Sequence, residues 1–140
     1  MLLKKILLLG TISASIAFTA CKDDEDEVLD NLNQADREFV NNASMNNMAE
    51  ISLGELAQSN GSNDSVKTYA SMMVTDHSMA QDELDSLASS LNVDQADSLN
   101  ASMKALRDRL AGLTGYDFDT AYINSQVAAH TMAISQFENQ

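Results

Sequence analysis

His77 and His130 are the only histidines in this chain, and each falls where a buried helix face would otherwise carry an apolar residue. Across 64–91 the apolar positions are Val66, Tyr69, Ala70, Met73, Ala80, Leu84, Leu87 and Leu91. That three-four alternation marks one face of a helix turned to a core. His77 continues the stripe between Met73 and Ala80, and His130 fills the equivalent gap between Val127 and Ile134. Glu50 lies with Asn46 on a third face, between Ala43 and Leu53. One carboxylate and two imidazoles from three helices make an O,N,N set able to hold Zn²⁺, Fe²⁺ or Mn²⁺, with water at the open positions. Met73 shares a face with His77, and Met79 and Met132 are near the two histidines in sequence; thioether plus imidazole suits Cu(I). The alternative is packing alone, with each imidazole satisfied in the core by a carboxylate, Tyr69 or Tyr122 and the methionines as filler. Packing is the expectation adopted, so no cofactor is expected; a divalent metal at Glu50, His77 and His130 is the rival.

Other chemistry is excluded more directly. A di-iron bundle centre takes two Glu-x-x-His pairs, but Val74 and Val127 stand three residues before the histidines. The sequence has no Gly-rich phosphate loop, nucleophile elbow or paired-cysteine motif. Asp76 points a third of a turn from His77, toward solvent or a neighbouring helix. No enzyme is expected.

The elements that must carry these residues are helices. The chain has no Pro or Trp and few Gly, and its Ala, Leu, Met and Gln favour helix over sheet. A first helix spans about 34–59, with Phe39, Ala43, Leu53 and Ala57 on one face. Asn60-Gly61-Ser62-Asn63 ends it, and Asp64 or Ser62 caps the second. Asn92-Val93-Asp94 then ends the second helix and caps a shorter third, striped by Leu99, Met103, Leu106, Leu110 and Leu113. Gly112 and Gly115 close the third. Asp117 or Asp119 opens the fourth, whose inner face is Ile123, Val127, Ile134 and Phe137. Short connections make these an antiparallel all-α bundle.

The N-terminus supplies an address. Lys4 and Lys5 precede an apolar run from Ile6 to Phe18, too short to span a bilayer comfortably, for which ~20 residues are needed. Phe18-Thr19-Ala20-Cys21 resembles the lipobox of bacterial lipoproteins, whose cysteine is lipidated. The run Lys22-Asp23-Asp24-Glu25-Asp26-Glu27 reads as an extended, self-repelling tether. It also resembles the surface-export signal of Bacteroidetes lipoproteins. The division expected is a signal peptide at 1–20, an acidic tether at 21–33 and a bundle domain at 34–140. A net charge of −13 repels nucleic-acid phosphates and excludes that partner.

Three segments carry a wider resemblance. Ala49-Glu50-Ile51-Ser52-Leu53-Gly54, Met73-Val74-Thr75-Asp76-His77 and Tyr116-Asp117-Phe118-Asp119-Thr120-Ala121-Tyr122, followed by His130, resemble a ferritin-like family of bacterial envelope proteins, domain of unknown function 4142. The resemblance spans about 34–137 and implies a ferritin-like bundle without a defined activity. Members usually continue past the equivalent of Phe137 into another long helix bearing a further histidine, whereas this chain ends at Gln140. The expectation is then an apolar groove, closed by a homo-oligomer or by inward Met and Tyr side chains. Together these features point to an outer-membrane protein, anchored through lipidated Cys21, acting as a non-enzymatic binding or structural module.

Overall fold

The computed structural model describes residues 32–138, with the side chains of Gln136 and Phe137 outside the description. The signal peptide expected at 1–20, Cys21 and the acidic run, as well as the inward position expected for Phe137, therefore lie outside the described residues. Four helices and no strand occur among those described: α1 Gln34–Asn60, α2 Asp64–Ser90, α3 Ala101–Ala111 and α4 Gly115–Glu138. No described helix is long and apolar enough to cross a membrane.

Local chemistry sets the boundaries. Asn33 opens α1 in a capping box: its side chain accepts from Asp36 N–H while the Asp36 carboxylate accepts from Asn33 N–H. Gly61 stops α1, and Asn63, between the two caps expected, opens α2 by accepting from Ser65 N–H. The third helix begins later than the sequence suggests. Asn92 turns left-handed (φ 51°) and ends α2, but Asp94 caps nothing. An irregular segment follows, and Asn100 caps α3 through Met103 N–H, leaving Leu99 outside the helix. Gly112 caps the end of α3 as expected, whereas Gly115 (φ 63°) is the first residue of α4. Neither Asp117 nor Asp119 opens that helix.

Facing pairs give the topology. Gly54 of α1 meets Ala70 and Val74 of α2, Asn47 meets His77 and Gln81, and Ser44 meets Gln81. Numbers rise on one helix as they fall on the other, so α1 and α2 are antiparallel. Arg107 of α3 donates to Ser52 Oγ, and Asn60 Nδ2 donates to the carbonyls of Ala111 and Leu113; α3 therefore runs alongside α1 in the same direction. Helix α4 starts at the α1–α2 turn, where the Asp119 carboxylate accepts from Ser62 N–H, Ser62 Oγ–H and Asn63 N–H. It runs beside α2 in the same direction, bringing Tyr122 and then His130 past Tyr69. The result is an up-down-up-down helical bundle.

Its apolar core has two separate parts. At the turn end, Leu53, Ala57, Val66, Ala70, Leu110, Phe118 and Tyr122 pack together. At the far end, Val40, Ala88 and Val93 form a smaller cluster backed by Leu32, Leu84 and Leu91. Two expected stripes shift in register. On α2, Ala80 and Leu87 are exposed, while Gln81 and Ala88 take the inward places, because the close approach to α1 selects for small or hydrogen-bonded side chains. On α4, Val127 and Ile134 are 63% and 59% exposed. The inner face is Phe118, Tyr122 and Gln126, continued by half-buried Ala129, His130 and Ala133.

Candidate functional site

Between the two apolar clusters the bundle interior is polar. Ser44, Glu50 and Gln126 are buried, with Asn47, Tyr69, His77, Gln81 and His130 half-buried around them. Helix spacing explains the grouping: Asn47 precedes Glu50 by three residues and Gln81 follows His77 by four, so each pair shares a face.

One acceptor-only group fixes the direction of the hydrogen bonds near His77. Asp85 Oδ1 accepts from Gln81 Nε2 at 2.7 Å, so the Gln81 amide nitrogen faces Asp85 and its oxygen faces away. That nitrogen also reaches Gln95 Oε1 (3.0 Å) and Ser44 Oγ (3.2 Å). The Gln81 oxygen accepts from Asn47 Nδ2 at 3.2 Å, which turns Asn47 Oδ1 toward His77. His77 Nδ1 lies 2.9 Å from that oxygen and must donate a proton to it. In the neutral ring, Nε2 then carries the free lone pair. Burial, the largest influence, pushes the His77 pKa down; His130 pushes the same way, while Glu50 and Asp76 oppose. The ring stays neutral at physiological pH.

The second imidazole is held from α2. His130 Nε2 lies 3.3 Å from the Tyr69 hydroxyl, itself 3.4 Å from Gln126 Oε1. Tyr69 is one of the core partners expected from sequence, whereas Asn47 was not foreseen for His77. The two rings stand 6.2 Å apart, centroid to centroid, tilted by 34°. Tyr69 and Tyr122 have their pKa values raised, by burial first and then by the charge of Glu50; both remain phenols.

Three buried polar atoms have no hydrogen-bond partner among the described residues: Glu50 Oε2, Tyr122 Oη and Gln126 Nε2. Glu50 is only 6% exposed, and leaving such a group unmatched costs about 1–3 kcal/mol, more when it is charged. Glu50, His77 and His130 also line one cavity of about 420 Å³. Its other walls are mainly apolar, including Leu53 of α1, Met103 and Leu106 of α3, and Ala129 and Ala133 of α4. The three residues singled out by type and spacing thus share one chamber. Among the described residues, however, no three His, Cys, Asp or Glu side chains gather closely enough to hold a metal ion. Of the methionines considered for copper, Met73 is buried, while Met79 and Met132 are more than half exposed; Met132 still borders the cavity. Asp76 is exposed.

Sequence reasoning missed Asn47, Gln81 and Gln126, and read Asp119 as a cap of α4 where it instead holds the α1–α2 turn. Gln81 and Asn47 were detectable as same-face neighbours of His77 and Glu50. Gln126 was hidden by the more hydrophobic Val127 beside it.

Fold and site define a four-helix bundle whose middle layer is polar and opens into a side cavity. The family described as Domain of unknown function (DUF4142) matches residues 24–140, and the chain belongs to that family. Comparisons with curated proteins and with solved structures yield no match.

Proposed function

We propose that this protein is a lipid-anchored envelope protein, tethered through Cys21, whose bundle is a non-enzymatic binding module. The observation that carries the binding role is the Glu50 carboxylate. It is buried in the polar middle layer, has no partner for Oε2 among the described residues and borders a cavity of about 420 Å³ whose other walls are mainly apolar. Ligand sites of this size characteristically combine apolar walls with a few placed polar groups. The address rests on Phe18-Thr19-Ala20-Cys21 and the acidic run after it. Several acyl chains, at ~0.8 kcal/mol per buried CH₂, hold such a domain at a membrane without a spanning helix; outer-membrane placement follows from Lys22 and the acids behind it.

Two experiments test this. Cys21→Ser is expected to release the chain from the membrane fraction or leave an unprocessed precursor; unchanged fractionation refutes the anchor. Titration of the full chain with 1-hexanol, an uncharged probe with a short apolar body, is expected to shift NMR amides of Leu53, Leu106 and Ala133 together. No response at those positions refutes the receiving cavity.

A second reading, a protein binding Zn²⁺, Fe²⁺, Mn²⁺ or Cu(I), draws support from His77. A second hydrogen bond that fixes the tautomer and leaves one nitrogen bare is how metal-ligating histidines are held. The spacing of the three groups counts against it. Stoichiometric metal on the purified protein, lost in His77→Ala, would favour this reading over the first.

A further inference from the structure

Resting on the binding-module reading, the geometry points to a ligand class: we propose that the cavity beside Glu50 takes a small primary amine, as its ammonium cation, with a short apolar body. The cavity's polar lining is Asn46, Glu50, His77, Ser102 and His130, and Glu50 is the one acidic group among them. Glu50 brings a buried carboxylate, whose Oε2 is sealed from solvent and has no hydrogen-bond partner among the described residues. His77 brings a bare Nε2, because Asn47 takes the proton of Nδ1 and the chain of bonds back to Asp85 forbids the reverse. No Lys or Arg lines the cavity among the described residues. A carboxylate ligand would meet Glu50 without a counter-charge, and an uncharged one would leave the carboxylate without a compensating charge.

Size separates an amine from a metal ion. Imidazole rings sharing a tetrahedral ion at ~2.0–2.1 Å metal–nitrogen distance approach more closely than the 6.2 Å found here, and the third group does not close the gap. An ammonium group has longer reach, since N–H···O and N–H···N contacts span about 2.7–3.2 Å, and its three donors can address separate acceptors. The apolar walls, Leu53, Met103, Leu106, Ala129 and Ala133, would take the carbon chain, at about fourfold in affinity per buried methylene. The chain's net charge of −13 favours the approach of a cation.

The test is calorimetric titration of the full chain with hexylammonium chloride, 1-hexanol, sodium hexanoate and ZnCl₂. Hexylammonium is expected to bind at least tenfold more tightly than 1-hexanol, with hexanoate showing no binding. Glu50→Gln, nearly isosteric, should bring hexylammonium down to the hexanol level. Ala133→Leu, which narrows the cavity while keeping Glu50, should weaken both; circular dichroism verifies that each variant is folded. Equal affinity for hexylammonium and hexanol, or no change in Glu50→Gln, overturns the amine assignment and leaves the receiving cavity standing. Failure of all three organic probes overturns both. One equivalent of Zn²⁺ held through Glu50 and His77, to the exclusion of hexylammonium, overturns the amine in favour of the ion.

Discussion

Replacing Tyr122 with Phe is expected to stabilise this protein. Tyr122 is fully buried, stacked on Phe118 at 5.8 Å and tilted against Tyr69 at 6.3 Å. Phe keeps the ring in both contacts and removes only a hydroxyl that has no partner among the described residues. An unmatched buried hydroxyl costs about 1–3 kcal/mol, and the small gap left by its oxygen takes back part of the gain. The net expectation is about +1 kcal/mol, a rise of roughly 4 °C in Tm for a domain near 100 residues. Urea denaturation followed by circular dichroism measures it, with an unchanged m-value as the control for two-state behaviour. A loss of ~1 kcal/mol or more would refute the reasoning, because the hydroxyl would then be donating to something. Pairing the substitution with Glu50→Gln identifies the acceptor. Additive effects leave Glu50 unmatched, whereas coupling above ~0.5 kcal/mol means that Tyr122 donates to it and the polar layer is closed.

Three further outcomes follow from the packing and the charges. Gly54→Ala places a methyl 2.7 Å from Val74 Cγ2 and 3.0 Å from the Ala70 carbonyl. The ~1 kcal/mol helix-propensity gain is then offset by ~1–3 kcal/mol of overpacking, and Val74→Ala should recover only part of the loss, because the carbonyl contact remains; denaturation midpoints of the three variants measure this. Asp119 has its carboxyl pKa lowered, chiefly by the Ser62 hydroxyl, which outweighs the opposing effect of burial, and further by Ser62 and Asn63 N–H and the charge of Lys67. Its contribution is present above the ordinary carboxylate range and lost as pH falls through the lowered value, so Asp119→Asn should be less stable at neutral pH and flatten the acid limb of a midpoint-versus-pH curve. His77, with its pKa lowered mainly by burial, contributes stability in full above about pH 6.5. That stability declines as pH falls toward its lower folded value, since the unfolded chain binds the proton first; His77→Gln should remove this part of the curve.

Much of the site was legible in the sequence because the histidines and Glu50 interrupt otherwise regular stripes. A polar residue at an inward register position stands out when its neighbours are Met73, Leu53 or Leu84. The same logic failed on α4, where Val127 and Ile134 drew the stripe to the wrong side. The true inner face there is built from Tyr122, Gln126, Ala129 and Ala133, whose burial depends on the helices they meet and not on their own hydropathy. On α2 the shift from Ala80 and Leu87 to Gln81 and Ala88 has a similar origin: Gln81 bonds Ser44 and Asn47 of α1, and Ala88 packs with Val40 and Val93. The late start of α3 was hidden because Asp94 and Asn100 are both competent caps. What separates them is tertiary: Ser44 Oγ donates to the Ala96 carbonyl, and Gln95 bonds Gln81 and Asp85, which holds the intervening chain against the bundle.

The central claim is that this polar layer presents bare acceptors to a cavity, and the proton on His77 tests it most directly. Long-range ¹⁵N–¹H correlation spectra of the imidazole distinguish the two tautomers. The protonated nitrogen is predicted to be Nδ1, with Nε2 showing the shift of a free lone pair in neutral solution. A proton on Nε2 instead would mean that the Asn47 and Gln81 amides are reversed and that the cavity presents a donor, contradicting the account.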